Sequence, residues 1–355
     1  MSGSVAEDRR VNVLIASPLE SDYVAEIARV APDRVNLIYR PDLLPPMRYV
    51  ADHTGPADWA RTVEQQAEWE ALLERAEAMW DFDLRTPKSP LALSPNLRWV
   101  QTTSAGVGPL VKRLGVADSD LLVTTASGIH AQPLAEFVFG ALLFSTKQFA
   151  RLLHQQRAHH WERYCASELS GQTLAIIGPG RIGREIARLG HCFGMTVWAM
   201  GRTYDDDRAA TLGVDRLFPR DDLPVMLAGA DCVVICTPHT PETERILGAK
   251  EFAALKPGAV FINIARGAVV DEAALIEALQ SERIGFAALD VFQTEPLPAD
   301  SPLWDMPNVL INPHSASTAA SENRKLTERF CQNLDHYLAG RLDQMGPVLD
   351  KARQY

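Results

Sequence analysis

The stretch Thr173–Gly190, TLAIIGPGRIGREIARLG, restricts the possible folds of this chain more than any other. Thr173–Ile177 is a short apolar run that reads as a buried parallel strand. It ends in Gly178-Pro179-Gly180-Arg181-Ile182-Gly183, and an amphipathic helix follows with Ile182, Ile186 and Leu189 on one side. This is G-x-G-x-x-G in the strand–turn–helix setting that a dinucleotide fingerprint requires. Gly178 permits the tight turn, Gly180 lets the backbone approach a pyrophosphate, and Gly183 lets the helix pack close to the strand. The helix start, with the N–H groups of Arg181 and Ile182 and the positive dipole end, offers donors to the phosphates. Pro179 lacks an N–H, but it precedes those donors. An ordinary tight βα turn is the competing reading.

The rest of the sequence is compatible with a soluble globular protein of two domains at roughly 150 residues each, for a chain of 355. Hydrophobic residues make up 46% and charged residues 23%, enough apolar material for ordinary cores. The formal charge is −10 with no basic cluster, which argues against nucleic acid or an anionic membrane as a main partner. The first ten residues, MSGSVAEDRR, lack an apolar segment of signal-peptide type, and no apolar run reaches the ~18 residues that span a bilayer. The cysteines Cys165, Cys192, Cys232, Cys236 and Cys331 are odd in number and form no C-x-x-C, which suits a reducing cytosol. A cytoplasmic protein without a metal site is expected. Cys232 and Cys236 fall on a buried strand, where a thiol acts as a small inert hydrophobe.

Strands and helices alternate along the chain. Val11–Ser17, Val35–Tyr39, Ala78–Phe82, Leu97–Thr102 and Leu121–Thr125 read as strands, with helices at Ser21–Ala31, Asp58–Glu77 and Pro109–Leu114. Gln132–Arg151 reads as one long helix burying Leu134, Phe137, Val138, Ala141 and Leu142, packed between two domains. After the fingerprint come strands at Met195–Met200, Val214–Phe218 (an edge strand), Asp231–Cys236, Ala259–Ile264, Ile284–Leu289 and Val309–Asn312. Asp271–Gln280 is a helix capped by Asp271, and Ser317–Ala339 is the closing helix. The alternation implies α/β architecture, with parallel sheets covered on both faces. Arg266, Asp290 and His314 each come directly after an apolar strand. In open α/β sheets the ligand crevice lies beyond the carboxyl ends of the strands, so these side chains should converge near the cofactor.

Four segments in this order, IIGPGRIGREIA, INIARGAVVDEAAL, ALDVFQTEPLP and NPHSAS, resemble the D-isomer-specific 2-hydroxyacid dehydrogenases, strongly from about Leu97 to the end of the chain and more loosely before it. The resemblance implies reduction of a small 2-keto acid to the D-2-hydroxy acid, and the reverse, as in glyoxylate or hydroxypyruvate reductases. It implies that Arg266 holds the substrate carboxylate with its planar fork. His314 would be the general acid/base, and Glu295 would orient the ring and favour its protonated form. Thr237, Pro238, Ile264, Ala265, Arg266, Asp290 and His314 would line the cofactor. Ser104-Ala105-Gly106-Val107 would present backbone N–H groups to the substrate carboxylate, beside Arg266 and His314. The residues make chemical sense by themselves, since a 2-keto acid needs a cation for its carboxylate, a proton donor for its oxygen and a hydride source. Competing readings are a surface or phosphate-binding Arg266, a turn residue at Glu295, a satisfied structural His314 and a helix-opening turn at Ser104–Val107. His159 and His160 have no matching context and read as solvated.

The family usually selects NAD with an acidic residue at the end of the second strand. That position is Gly201, followed by Arg202 and Thr203, which suit a 2′-phosphate. NADP(H) is therefore favoured and NAD(H) possible; Asp205, Asp206 and Asp207 would oppose a phosphate if they faced it. Pro41–Trp80 is longer and richer in Pro and Trp than the family pattern. Met47, Arg48 and Tyr49 there could sit over the substrate, with a plain surface excursion as the alternative. Trp161 suits a dimer interface, as in the family's pairing through cofactor domains. The expected architecture is two doubly wound parallel-sheet domains. A Rossmann cofactor domain (129–312) is inserted in a flavodoxin-like substrate domain made of 1–128 and 313–355. The alternative function is a dinucleotide-sensing, corepressor-like binding protein with little turnover.

Overall fold

The computed structural model describes residues 10–86, 90–205 and 207–353. The chain divides into two compact units, unit 1 (Met1–Ile129 with Thr318–Tyr355) and unit 2 (His130–Ser317). The segment 313–317, expected in the return to the first domain, belongs to unit 2 because Ala316 is buried in that unit's core.

In chain order, unit 1 starts with β1 (Val11–Ile15), α1 (Ser21–Ala28), β2 (Val35–Ile38), α2 (Val63–Arg75) and β3 (Ala78–Trp80). It continues with α3 (Pro90–Leu93), β4 (Trp99–Gln101), α4 (Gly108–Arg113) and β5 (Leu122–Thr124). Unit 2 begins with α5 (Ala131–Thr146), α6 (Phe149–Arg157), β6 (Thr173–Ile177), α7 (Arg181–Cys192), β7 (Thr196–Met200), α8 (Arg208–Leu212), β8 (Arg216–Phe218) and α9 (Leu223–Gly229). Then come β9 (Cys232–Ile235), α10 (Ala249–Ala254), β10 (Ala259–Asn263), α11 (Glu272–Gln280), β11 (Ile284–Leu289) and β12 (Val309–Ile311), before α12 (Glu322–Leu338) returns to unit 1.

Among the described residues, unit 1 has a parallel sheet of order β2-β1-β3-β4-β5 and unit 2 one of order β12-β11-β10-β9-β6-β7-β8. The first is the flavodoxin-like order. The second is the doubly wound dinucleotide order with its reversal between β6 and β9. In the central strands of unit 2, successive side chains point to opposite faces. Leu174, Ile176, Val234 and Ile262 enter one core of unit 2, while Ala175, Ile177, Val233 and Phe261 enter the other. Both faces are covered, which explains the near-continuous apolar runs.

Several elements differ from the periodicity-based reading. The expected helix 132–151 is two helices, because Gln148 turns left-handed (φ 55°) between α5 and α6. Phe139, not Phe137, is fully buried on α5, and α5 packs on the sheet of unit 2. The helix expected from Asp58 starts at Val63, where Thr62 and Gln65 form a capping box that satisfies two otherwise orphaned N–H groups. The closing helix starts at Glu322. Asp271 caps α11, accepting from the Ala274 N–H.

α12 completes the core of unit 1. Phe330 stacks on Trp99 (centroids 4.9 Å apart) and meets Trp80 edge-on at 5.5 Å. Asn333 Nδ2 donates to Gln101 Oε1 at 2.8 Å, and the Gly346 N–H donates to Asn333 Oδ1 at 3.0 Å. Phe330→Ala should lower stability by about 3–5 kcal/mol, read as a fall in the urea midpoint of tryptophan fluorescence. In unit 2, burial pushes the Cys232 and Cys236 thiols up to about 12. Iodoacetamide at pH 8 should modify the exposed Cys165 and Cys192 and spare Cys232 and Cys236, as mass spectrometry of the peptides would show.

Candidate active site

The fingerprint glycines sit where the strand order of unit 2 reverses. Gly178 has φ +101°, and a Cβ there would lie 2.9 Å from the Thr237 nitrogen, so β6 and the turn after β9 touch backbone to backbone. A Cβ on Gly183 would lie 2.5 Å from the Gly178 carbonyl oxygen, so α7 rests directly on the turn. A Cβ on Gly180 would meet nothing within 4 Å. The turn is therefore rigid on its protein side and open at the residue that caps α7, ahead of Arg181 and Ile182. That arrangement fits a pyrophosphate. Thr237 and Pro238 follow β9 beside it, and Ile264 and Ala265 are buried just after β10.

Arg266 ends the same strand exit. Its Nη1 donates to its neighbour's carbonyl, Ala265 O, at 2.6 Å. Burial lowers the Arg266 pKa from its ordinary value, and the carboxylates of Glu295 and Asp290 oppose that shift. Gly267 fixes where Arg266 stands, because a Cβ there would lie 1.9 Å from the Phe292 carbonyl. The Arg266 segment thus packs on the backbone of Phe292 and Gln293, which begins the turn carrying Glu295. Glu295 uses one oxygen locally: Oε1 accepts from the Phe292 N–H at 3.0 Å. Its Oε2 lies 2.8 Å from His314 Nδ1. With Nδ1 engaged, Nε2 is the ring atom left to face a reacting group.

Asp290 holds His314 in place. Its carboxylate is 2% exposed, and its Oδ1 accepts from Asn312 Nδ2 at 2.5 Å, from the Ser315 N–H at 2.9 Å and from the Ala316 N–H at 3.0 Å. The Asp290 carbonyl accepts from the His314 N–H at 2.9 Å, and His314 itself adopts a left-handed φ of 52°. Its expected place in the cofactor wall therefore comes with a structural duty that its position after a strand does not reveal. Arg266, Glu295, His314 and Asp290 come together beyond the carboxyl ends of β10, β11 and β12.

The turn after β7 holds Gly201, Arg202 and Thr203, with the last two exposed. A Cβ on Gly201 would lie 3.3 Å from the Pro179 ring, so the turn abuts the fingerprint. Arg208, which the sequence reading passed over, donates from its guanidinium to the Thr203 hydroxyl. Its only signal in sequence is its basic charge at the start of α8. Asp205 Oδ1 accepts from the Asp207 N–H at 3.1 Å, and Asp206 lies outside the described residues. Ser104–Val107 belongs to unit 1, directly after β4; Val107 caps α4 and Ser104 and Gly106 are exposed. His159 and His160 are exposed, as expected of solvated residues. Among the described residues no cluster of metal-ligating side chains occurs, and no helix is long and apolar enough to cross a membrane.

Residues 139–316 match the family model described as "D-isomer specific 2-hydroxyacid dehydrogenase, NAD binding domain". The chain is 34% identical over 290 residues to glyoxylate/hydroxypyruvate reductase B of Escherichia fergusonii, covering 80% of this chain and 87% of that one. It is 36% identical over 278 residues to the D-3-phosphoglycerate dehydrogenase of Mycobacterium leprae, covering 77% of this chain but only 50% of the relative, so it spans about half the length of that protein. Among solved structures, a D-isomer specific 2-hydroxyacid dehydrogenase from Xanthobacter autotrophicus Py2, in complex with NADPH and MES, superposes with a TM-score of 0.75 at 29% identity, covering 98% of this chain and 100% of that one.

Removing the Asp290 carboxylate would orphan three donors in a buried site, each worth about 1–3 kcal/mol. Asp290→Ala should lower stability by several times as much as Asp290→Asn, which keeps an acceptor oxygen. Chemical unfolding measures the difference, and hydrogen exchange should open first at the Ser315 and Ala316 amides.

Proposed function

The chain belongs to the D-isomer specific 2-hydroxyacid dehydrogenase family, and on that premise we propose that it is an NAD(P)H-dependent reductase of small 2-keto acids that also runs in reverse. The observation that carries the reading is the His314 Nδ1–Glu295 Oε2 contact of 2.8 Å, formed in the same unit as Arg266 and the glycine fingerprint.

In this reading the turn Gly178–Gly183 and the N–H groups of Arg181 and Ile182 hold the dinucleotide pyrophosphate. Thr237, Pro238, Ile264, Ala265 and Asp290 line its path. When bound, the nicotinamide supplies or takes up the hydride. Arg266 binds the substrate carboxylate with two parallel hydrogen bonds. His314 Nε2 donates its proton to the carbonyl oxygen during reduction and recovers it during oxidation. Glu295 fixes the ring and balances its positive charge. Asp290 holds the backbone of His314 and is a positioning residue.

The cofactor reading favours NADP(H), with NAD(H) as the lesser partner. Gly201 stands where an acidic residue would bind both ribose hydroxyls, and Arg202, Thr203 and Arg208 offer charge and hydroxyl to a 2′-phosphate. The Xanthobacter relative was solved with NADPH. The relatives described above are named as dehydrogenases or reductases, which favours turnover over a dinucleotide-sensing, corepressor-like role. A homodimer through unit 2 is also proposed. Trp161 is 94% exposed and Phe149, Leu152 and Leu153 are exposed near it in sequence, an apolar set that suits a partner surface.

The test is the loss of reduced-nicotinamide absorbance with glyoxylate, hydroxypyruvate and alkyl or aryl pyruvates, using NADPH and NADH in parallel. Turnover should be faster with NADPH. The double change Arg202→Ala and Arg208→Ala should raise KM for NADPH about tenfold or more, equivalent to about 1.4 kcal/mol, and leave NADH nearly unchanged. Equal or better rates with NADH would overturn the cofactor preference alone. No turnover of any 2-keto acid would overturn the enzymatic reading. His314→Ala should cut kcat by about 10²–10⁴. Glu295→Gln, which keeps the shape and loses the charge, should cut kcat by less and leave KM close to its original value.

A further inference from the structure

Unit 1 contains a cavity of about 390 Å³, lined in part by Arg48, His53, Arg61, Phe82, Asp83 and Arg85. Ala16, directly after β1, and Phe82, two residues after β3, both contribute to its wall. It therefore sits beyond the carboxyl ends of β1 and β3, where the order β2-β1-β3-β4-β5 reverses direction. In doubly wound sheets that reversal is where a crevice opens and ligands bind.

The loop that encloses the cavity is built, not draped. The buried carboxylate of Asp52 accepts from Arg48 Nε at 2.7 Å, from the Gly55 N–H at 2.9 Å and from the Thr54 N–H at 3.2 Å. Arg85 braces the far side, its Nη2 donating to the carbonyls of Thr54 at 2.6 Å and Pro56 at 2.8 Å. Carbonyl partners leave the Arg85 charge uncompensated.

Two buried nitrogens in this wall lack partners. Among the described residues, His53 Nε2 and Arg61 Nη2 are buried and make no hydrogen bond. The Arg61 side chain is 1% exposed; its guanidinium lies 4.2 Å from the Trp69 ring centroid and 5.5 Å from that of Trp59. Its Nε donates to the Leu43 carbonyl at 2.7 Å, and its Nη1 reaches Asp83 only at 3.4 Å. His53 has Ser17 Oγ 3.4 Å from Nδ1 and the Trp80 ring 6.3 Å from its own. Leaving such nitrogens unmet costs about 1–3 kcal/mol each, so an acceptor in the cavity would recover that cost.

The nearby carboxylates are already engaged. Asp81 accepts from Thr103 Oγ1 at 2.6 Å and from the Phe82 N–H at 2.9 Å, while Asp83 accepts from Trp69 Nε1 at 2.8 Å and from the Arg85 N–H at 3.0 Å. Arg48 is ion-paired with Asp52 and Arg61 with Asp83, so Arg85, which donates to carbonyls, is the lining cation whose charge an anion in the cavity would meet.

We propose that this cavity binds a compact oxyanion, a carboxylate or a phosphate group, with Arg61 Nη2 as its donor, His53 Nε2 as a second in the tautomer that carries the ring proton there, and Arg85 supplying charge. The group is a free anion that acts as an effector. Binding is read without turnover, so it stands or falls separately from the reductase reading.

The test titrates malonate and inorganic phosphate into the full chain, against chloride at matched ionic strength. Isothermal calorimetry and tryptophan fluorescence follow the binding, since Trp59, Trp69 and Trp80 border the arginine and the histidine. Saturable binding of at least one oxyanion is expected, weakened about tenfold or more in His53→Asn and in Arg85→Gln. Thermal melting confirms that each variant is folded. No saturable binding to the unaltered protein overturns the proposal, as does binding that neither variant weakens. The role is then read kinetically. A change in monocarboxylate turnover by phosphate, without competition, assigns it to an effector.

Discussion

Between β6 and β9 the backbone at Gly178 and the backbone at Thr237 approach so closely that a single methyl group would not fit. That contact sets the level at which the strands of unit 2 end. The glycine at φ +101° turns the chain sharply enough to start α7 over its own strand, and Gly183 lets the helix settle there. Once β6 and β9 are locked, β10, β11 and β12 add in parallel register on the β9 side, and their exits line up along one edge. Arg266, Asp290 and His314 are the residues at those exits. The site depends on strand register, and the register depends on a close approach that only glycine allows.

The same economy appears at the two contacts that orient the site. Gly267 lets the Arg266 segment rest on the Phe292 backbone, and Glu295 begins three residues beyond. Asp290 gathers the side chain of Asn312 and the amides of Ser315 and Ala316 around one buried oxygen. A buried carboxylate surrounded by donors is rigid, because moving any donor away exposes a charge to an apolar interior. His314 can hold its left-handed conformation because this carboxylate fixes the backbone amides after it and the Asn312 side chain before it. Unit 1 applies the same device at Asp52, where a buried carboxylate folds 48–55 into a turn over a cavity.

Most of the element boundaries were legible within a few residues, because a fully covered parallel strand needs a short apolar run and an amphipathic helix needs its period. The misreadings are local and physical. Gln132–Arg151 has unbroken apolar periodicity, yet Gln148 turns left-handed, a backbone choice that leaves no trace in hydrophobic spacing. The start of α2 was written in the sequence as Thr62-x-x-Gln65, a capping signal stronger than the apolar residues before it. Arg208 gives no local hint of its role, since its contact with Thr203 exists only once α8 folds back on the turn after β7.

The sequence alone determined the α/β class, the dinucleotide turn and the family resemblance, because each rests on residues close together in the chain: a glycine spacing, a strand period, a motif. The contact of Glu295 with His314 had been implied by the resemblance, while the tertiary structure alone decided the anchoring role of Asp290 and the cavity that gathers Arg48, His53, Arg61 and Arg85. Those contacts join segments that only strand order and register bring side by side, so no local pattern encodes them. The hydrogen-bond partner of a buried polar atom is fixed by what packs against it, and that is known only when the chain is folded.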